Sequence, residues 1–585
     1  MSTSPGGVPP EPPSFEKRLP LALALMMLVL LGWQYFFKPP VPKPVPATPP
    51  AAGAPAAPVV QMSGEKPAAA ATAPVSQSAQ AAAVAPVQAS AETTTEIDSD
   101  LYHVVLTNRG GVVKSWVLKK YKDDAGKPLQ LINPDSKLPL PLALDFEAQK
   151  PAFDANAVLY QMQVSDGGDT VEFSYSDGKT SIRKSFEFKK DSYLSVVKSA
   201  VSDEGVNIPS LLTWRGGFGD SKAFKAFSKI ETLHYDPAAP GKILFWGTPK
   251  LDTKQAAKAK DGPLSETGNF TFGGIEDEFF AAVALPPDNT QLEVRTYSDG
   301  VKIPGENDPV QYAGVGLSTV GAQNSFLLFV GPKDTRLLDG VNPKLGTLID
   351  WGFFGIIAKA LFQSLNYVAT HWTNTNYGWA IVLVTLIINT CLFPIRLSSL
   401  KSARKMQKLQ PQLKAINEKY KNVKINDPKK AEQNQEVMDL YKKEGVNPVG
   451  GCLPLVLQLP FFWAFYKVLS VSIDLRHAPW LWVSDLSNPE TFFIHFLPLI
   501  MIATQFFTQK LTPQAGVDPT QQKMFMFMPL MLGVFFYSLS SGLVLYYLTG
   551  NLVGIVFQLI VNRFMPAPIP PPPVPKAPVR STVKK

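Results

Sequence analysis

Uncharged polar side chains recur inside the long apolar segments in the C-terminal part of this 585-residue chain. A polar group that faces hydrocarbon has no hydrogen-bond partner, so such residues turn towards a bundle interior or a wet cavity. Hydrogen bonding between helices is one interpretation. Because four of the last five apolar segments carry such residues, we favour a hydrated groove. This pattern gives as candidate groove residues Thr385, Asn389, Gln458, Gln505, Tyr546, Tyr547 and Asn551.

A basic stretch over 398–447, with 12 Lys and Arg against 6 Asp and Glu, offers a second kind of surface. Apolar residues repeat there at spacings of three and four, as in a coiled-coil seam: Met406, Leu409, Leu413, Ile416 and Tyr420. Asp427-Pro428 breaks the repeat, which predicts an antiparallel helical hairpin. Anchoring on anionic lipid is one role for its cations, but a seam of this length favours a docking arm for a partner. The cations at its start are Lys401, Arg404, Lys405 and Lys408.

The remaining reactive side chains do not predict an enzyme, a cofactor or a metal. The two cysteines, Cys391 and Cys452, lie in apolar segments, and the five histidines form no ligand spacing. Asp277 and Glu278 are neighbours on a polar loop, where carboxylates are usually solvated. Cys452 has no nearby histidine to act as a base. The net charge of +8 could suit a nucleic acid, but the basic residues form no platform with aromatic residues.

The first element that positions these groups is an N-terminal anchor. Residues 19–37 carry no charge and span about 28 Å as a helix, close to the roughly 30 Å of a bilayer core. Lys17 and Arg18 precede the run and predict a cytoplasmic N-terminus over 1–18. A cleaved signal peptide is the alternative, but the run is long and lacks an adjacent small-residue cleavage site. The Pro/Ala-rich stretch 38–91 then predicts an extended linker.

From 92 to 344 the apolar pattern changes to a period of two, which predicts an all-β sandwich. Ile182, Lys184 and Phe186 share one face of a strand, and a Gly-Gly turn at 110–111 joins two such runs. Over 345–372, large apolar residues then recur at spacings of three and four. This stripe predicts an amphipathic helix on the outer membrane face, with a helix packed on the β domain as the alternative.

Five further apolar segments predict transmembrane helices, and the charges between them predict their direction. The stretch 398–447 and the tail are basic, whereas 471–490 has one Arg against three acidic residues, so both termini lie in the cytoplasm and the β domain lies in the periplasm. The uncharged run 524–562 is too long for one span and has a Ser-Ser-Gly turn at 540–542. Its first half is about 24 Å long and would thin the bilayer. The predicted order is 377–397 (span 2), 398–447 (hairpin), 448–468 (span 3), 469–490 (periplasmic loop), 491–509 (span 4), 510–523 (cytoplasmic loop), 524–539 (span 5), 543–562 (span 6) and 563–585 (Pro-rich basic tail).

Three motifs carry a resemblance to a known family. They are Asn447-Pro-Val-Gly-Gly-Cys-Leu-Pro-Leu-Val-Leu-Gln-Leu-Pro460, Phe393-Pro394 followed by Met406-Gln-Lys-Leu-Gln-Pro411, and Ser541-Gly-Leu-Val-Leu-Tyr-Tyr547. The chain resembles the YidC/Oxa/Alb membrane protein insertase family in its Gram-negative form. The match is close over about 345–563, and the order of anchor, linker and β domain agrees with it.

The resemblance implies a protein that inserts and helps to fold inner-membrane proteins, alone or with the Sec translocon. It implies five core spans, a hydrophilic groove with substrate contacts at Thr385, Gln458, Tyr546 and Tyr547, and a periplasmic β-supersandwich that contacts Sec components. Expected partners are nascent inner-membrane proteins, lipid, and a ribosome or targeting factor at the hairpin and basic tail. A small-solute transporter is the alternative, but paired intramembrane charges and inverted repeats are not evident.

One position departs from the family. The family usually has an arginine in the groove five residues before the Phe-Pro pair, where this chain has Asn389. Arg396 lies seven residues later, two helical turns on and on nearly the same face. We therefore expect Arg396 to supply the positive end of the groove.

Overall fold

The structure is a computed structural model of the chain. It describes residues 85–134, 136–147, 149–220, 230–241, 250–302, 309–321, 323–420, 427–446, 453–492, 494–511, 533 and 535–564. The predicted N-terminus (1–18) and anchor (19–37) lie outside these ranges. Most of the linker (38–91), most of the loop 510–523, much of span 5 (524–539) and nearly all of the tail (563–585) also lie outside them.

The described part contains nineteen strands followed by helices. The strands are β1 (Thr94–Asp98), β2 (Tyr102–Thr107), β3 (Val112–Lys122), β4 (Pro128–Gln130), β5 (Ala143–Asp145), β6 (Gln161–Val164), β7 (Thr170–Ser176), β8 (Thr180–Phe188), β9 (Leu194–Asp203), β10 (Val206–Asn207), β11 (Leu211–Trp214), β12 (Glu231–Tyr235), β13 (Leu251–Gln255), β14 (Leu264–Gly268), β15 (Phe272–Glu276), β16 (Phe280–Leu285), β17 (Leu292–Val301), β18 (Val310–Thr319) and β19 (Asn324–Pro332). The helices are α1 (Thr335–Val341), α2 (Gly355–His371), α3 (Tyr377–Lys408), α4 (Gln410–Lys419), α5 (Lys429–Lys443), α6 (Leu453–Val471), α7 (Phe496–Leu511) and α8 (Ser541–Phe564).

The strands form three antiparallel sheets that share one apolar core. The first sheet has the order β1-β2-β3-β4, the second β13-β12-β15-β16-β19-β9-β8-β7-β6 with β10 paired to β9, and the third β14-β17-β18-β11-β5. Trp116 from the first sheet, Phe186 from the second and Leu212 from the third belong to the same buried cluster. The prediction of an all-β, sandwich-like domain is confirmed.

The alternation predicted around β8 is present, since Ile182, Lys184 and Phe186 are buried while Arg183 and Glu187 are exposed. The Gly-Gly turn is also present. It joins β2 to β3, and Gly110 and Gly111 have φ values of +74° and +56°, a backbone region that favours glycine.

Lys184 is the unusual member of the inward face, because its ammonium lies among apolar side chains. Its Nζ donates to the backbone carbonyls of Gly110, Gly111 and Leu142 at 2.9, 3.0 and 2.8 Å. Burial lowers the pKa of Lys184 to about 7. The ammonium thus ties the β2–β3 turn to the start of β5 with all three of its protons in use.

Replacing Lys184 with methionine is expected to destabilise the β domain by about 3 kcal/mol, because three buried carbonyls lose their donor. The folded-state pKa is below the ordinary 10.5, so the unfolded chain binds more protons, and the wild-type stability should rise with pH above about 7. Thermal unfolding of the full chain in detergent measures both effects. Lys198→Met, on an exposed position of β9, is the control, and equal melting temperatures for the two variants would contradict the role of Lys184.

The loop between α6 and α7 packs against the β domain. Val471 and Ile473 are part of the β-domain core. The guanidinium of Arg476 forms an ion pair with Asp220, and each side chain is only 4% exposed. Asp277, expected to be solvated, is buried instead, and its carboxylate accepts the backbone N–H groups of Asp220, Phe279 and Phe280.

The predicted start of the amphipathic helix over 345–372 is wrong. Leu348 ends a short 3-10 helix and packs in the β-domain core, and α2 begins only at Gly355. The apolar stripe of α2 is buried against the helical bundle, not against lipid: Ile357, Leu361, Leu365 and Val368 belong to the bundle core. Its opposite face exposes Ile356 and Lys359.

Two of the described helices, α3 and α8, are long and apolar enough to cross a membrane, and a shorter apolar segment covers Leu457–Val471. The six-span count stays a prediction. The helix predicted from 491 begins later, at Phe496, where the carboxylate of Glu490 accepts the N–H of Leu497 at 2.9 Å and so satisfies one of the free donors of the first turn.

The hairpin differs from its predicted start at 398. Helix α3 continues through Pro394 to Lys408. The helix is interrupted at Leu409, because Pro411 at the start of α4 has no N–H to continue it. The predicted contact is present: Met406, Leu409 and Leu413 pack with Val437, Leu440 and Tyr441.

Candidate functional site

A small cavity opens between α3, α6 and α8, in the part of the bundle that the sequence patterns single out. Its volume is about 30 Å³, above the roughly 10–15 Å³ that one water needs. Four of the predicted groove residues line it among apolar neighbours. The lining consists of Ile388, Asn389, Leu392, Ile395, Arg396, Leu457, Gln458, Phe461 and Tyr546.

Asn389 and Arg396 meet on the cavity side of α3. The guanidinium Nη1 of Arg396 donates to Oδ1 of Asn389 at 3.4 Å. The amide of Asn389 in turn donates to the carbonyl of Thr385 at 2.9 Å. Seven residues on a helix make about two turns, so the pair shares a face as the spacing predicts. Arg396 thus places a positive charge at the cavity and Asn389 orients it.

Thr385 lies one helical turn before Asn389 on α3 and is fully buried. Its hydroxyl has no hydrogen-bond partner among the residues that the structure describes. It does not line the cavity, although its carbonyl supports Asn389.

The cavity is also shaped by Gly550 and Gly554 of α8. A methyl group on Gly554 would lie 3.3 Å from Nη1 of Arg396, and one on Gly550 would lie 4.0 Å from the amide nitrogen of Asn389. The absence of side chains at these two glycines therefore leaves room for Asn389 and Arg396 beside α8.

Tyr546 and Tyr547 separate on the two sides of α8. Tyr546 lines the cavity and its ring stacks on Phe465 at 4.2 Å. Tyr547 instead contacts the rings of Phe462 and Phe536, at 6.5 and 5.0 Å between centroids. Phe461 and Phe465, which the polar pattern did not mark, thus form part of the cavity wall and its support.

The other two predicted groove residues are Asn551 on α8 and Gln505 on α7. The amide of Asn551 donates to the hydroxyl of Thr504 at 3.5 Å, which is the interhelical hydrogen bond offered as the alternative interpretation. Gln505 is half-buried on α7 beside Thr504. The structure does not bring either residue to the cavity.

The hairpin cations also divide into two groups. Lys401, Lys405 and Lys408 are exposed on α3. Arg404 is 8% exposed, and its guanidinium donates to Oδ1 of Asn562 near the end of α8. The side chain of Arg404 thus joins α3 to α8, and Asn562 carried no sequence signal for that contact. The assignment of Arg404 to a docking surface stays a prediction.

Comparison with known proteins agrees with this architecture. The YidC periplasmic domain family matches residues 94–364, and the family described as 60Kd inner membrane protein matches residues 368–568. A membrane protein insertase YidC from Citrifermentans bemidjiense is 34% identical over 569 residues, covering 94% of this chain and 99% of its own length. That of Syntrophus aciditrophicus is 31% identical over 573 residues, with shares of 94% and 99%.

Among solved structures, an active YidC insertase with its first transmembrane domain resolved covers 80% of this chain and 93% of its own, at 20% identity and a TM-score of 0.33. The sequence relatives, which match from end to end, decide the assignment. This chain belongs to the YidC family of membrane protein insertases.

Proposed function

We propose that this protein inserts membrane proteins into the bacterial inner membrane and helps them to fold, alone or beside the Sec translocon. The relatives that match it over nearly their whole length are named insertases. The observation that carries the proposal is the cavity between α3, α6 and α8, where Arg396, Asn389, Gln458 and Tyr546 surround space for water. Its chemistry is binding, with no enzymatic step and no cofactor.

The proposed mechanism lowers the cost of moving a polar segment across the membrane. A charged or amide-rich segment in hydrocarbon loses its hydration, at several kcal/mol per unsatisfied group. The cavity offers an arginine cation, amide groups and water in place of that hydration. A short fifth span, over 524–539, would thin the bilayer and shorten the path. The driving energy comes from the hydrophobicity of the substrate and from the membrane potential.

The topology that this function requires has six spans, both termini in the cytoplasm and the β domain in the periplasm. In that orientation Lys401, Lys405 and Lys408 face the cytoplasm, where they are available to a ribosome, a targeting factor or anionic lipid. The β domain is then placed to contact Sec components, and the basic tail 563–585 adds charge on the cytoplasmic side.

Depletion of the protein tests the proposal. Small membrane proteins with one or two spans should accumulate uninserted, as seen by protease protection of their translocated segments. A transporter of small solutes would leave their insertion unchanged and would alter solute uptake instead. Reconstitution of the purified chain in vesicles should restore insertion of the same substrates without added nucleotide.

A further inference from the structure

Three side chains of metal-ligand type converge where two sheets of the β domain meet. His234 on β12 and Asp252 on β13 are direct partners across adjacent antiparallel strands. Glu266 comes from β14, in the five-stranded sheet. The potential ligand atoms of the three residues all lie within 4.8 Å of one another. Spacing along the chain did not predict this cluster, because cross-strand and inter-sheet neighbours have no fixed sequence separation.

The imidazole of His234 is nearly buried and is held by its neighbours. It is 8% exposed, and its ring stacks on Phe270 with 4.1 Å between centroids. Its Nδ1 lies 3.4 Å from Oε2 of Glu266, but neither ring nitrogen forms a hydrogen bond with any residue that the structure describes. Burial lowers the pKa of His234, although the charges of Glu266 and Asp252 oppose this.

The two carboxylates of the cluster already hold a cation. Nζ of Lys254 donates to Asp252 at 2.8 Å and to Glu266 at 2.9 Å. These two hydrogen bonds hold the amine of Lys254 between the carboxylates. Its side chain is 22% exposed and can turn outward. The two carboxylates are thus close enough together to bind one cation. The amine of Lys254 forms no hydrogen bond with either ring nitrogen of His234 in the part of the chain that the structure describes.

We propose that His234, Asp252 and Glu266 bind a divalent transition metal ion such as Zn²⁺, and that Lys254 competes with the ion for the two carboxylates. One imidazole and two carboxylates are a zinc-type donor set, with water in the fourth position. The imidazole disfavours Mg²⁺ and Ca²⁺, which take oxygen ligands. The three ligand atoms, which lie within 4.8 Å of one another, would have to come to about 3.3–3.6 Å apart, the separation that a tetrahedral site with metal distances of roughly 2.0–2.2 Å sets. The ion would then join the β12–β13 pair to β14.

Calorimetric titration of the tag-free full chain in nanodiscs with Zn²⁺ alone tests the site. The wild type should bind one equivalent, and Co²⁺ in its place should give the visible absorption of a tetrahedral site. Glu266→Gln, which keeps the shape of the side chain, and His234→Asn, which removes the imidazole, should each weaken Zn²⁺ binding at least about tenfold. Lys254→Met should strengthen it by a similar factor, because the competing ammonium is gone.

The Lys254 variant separates a metal site from an ordinary ion-pair cluster. If the cluster only stabilises the fold, Lys254→Met weakens the protein and gives no gain in zinc affinity, and that result would overturn the proposal. So would stoichiometric binding that survives His234→Asn. His103→Ala is the matched control, because His103 also faces carboxylates, at Asp98 and Glu96, but on an exposed surface. Its titration should equal that of the wild type.

Discussion

Arg396→Ala should reduce insertion of a substrate with an acidic translocated segment by roughly tenfold or more, equivalent to about 1.4 kcal/mol or more. Two unit charges about 4 Å apart attract by about 4 kcal/mol at the effective dielectric of a protein surface, and water in the cavity reduces this. Arg396 is the cation that lines the cavity described between α3, α6 and α8. Its removal takes away the charge to which an acidic segment is drawn.

Asn389→Ala should have a smaller effect, about two- to fivefold. Asn389 contributes one neutral side chain, whose hydrogen bond to Arg396 spans 3.4 Å, and such bonds are worth about 0.5–1.5 kcal/mol. Without it the guanidinium keeps its charge but loses an orienting partner. Equal losses for the two variants, or a larger loss for Asn389→Ala, would contradict the assignment of the positive charge to Arg396.

Two controls make the comparison specific to charge. Arg396→Lys keeps the cation in a smaller head group and should retain most of the activity. A substrate whose acidic residues are changed to their amides should lose most of its dependence on Arg396. The rate of insertion into vesicles that contain each variant, at equal protein amounts, measures these effects.

How far the cavity could be predicted depends on the sequence distance between its parts. Asn389 and Arg396 lie on one helix, so their spacing was enough to predict a shared face. Gln458 and Tyr546 lie on other helices, and polarity predicted that each faces inward but not that they meet. The same polarity signal could not distinguish a groove position for Asn551 from its hydrogen bond to Thr504, because both favour the same residue type.

The fold shows the same division between local and distant information. Period-two alternation located the strands around β8 and the Gly-Gly turn before β3. It could not indicate that Lys184 on the inward face would find three carbonyls from another part of the chain. The start of α2 was missed because Leu348 continues the helical spacing while packing into a different core from Ile357.

Arg476→Met should release the loop between α6 and α7 from the β domain. Arg476 and Asp220 are 256 positions apart and both nearly fully buried, and the guanidinium lies over the rings of Phe279 and Phe280 at 6.0 and 5.6 Å. Removal of one partner of a buried pair leaves the other charge uncompensated, which lowers the free energy of unfolding by about 3–5 kcal/mol. The backbone amides of the loop in the full chain should therefore exchange hydrogen faster, because the loop opens more often. The melting temperature of the chain should also fall.

The companion variants decide whether the charge pair is responsible. Asp220→Asn should have an effect similar to that of Arg476→Met, and the double variant should lose much less than the sum, because neither member of the pair is left as an uncompensated charge. Lys467→Met breaks the more exposed pair with Asp350 at the same junction and should cost at most about 1 kcal/mol. Additive losses in the double variant would show that the two residues act separately.

This junction bears on the cavity through α6. The helix carries Gln458 at the cavity and ends at Val471, which packs in the β-domain core. At 1.5 Å per residue the two positions are about 20 Å apart along one helix. A loosened loop should therefore shift Gln458 slightly and lower insertion about two- to threefold, less than Arg396→Ala. If Arg476→Met lowers the thermal transition but leaves insertion unchanged, the β domain only stabilises the bundle and does not position its cavity.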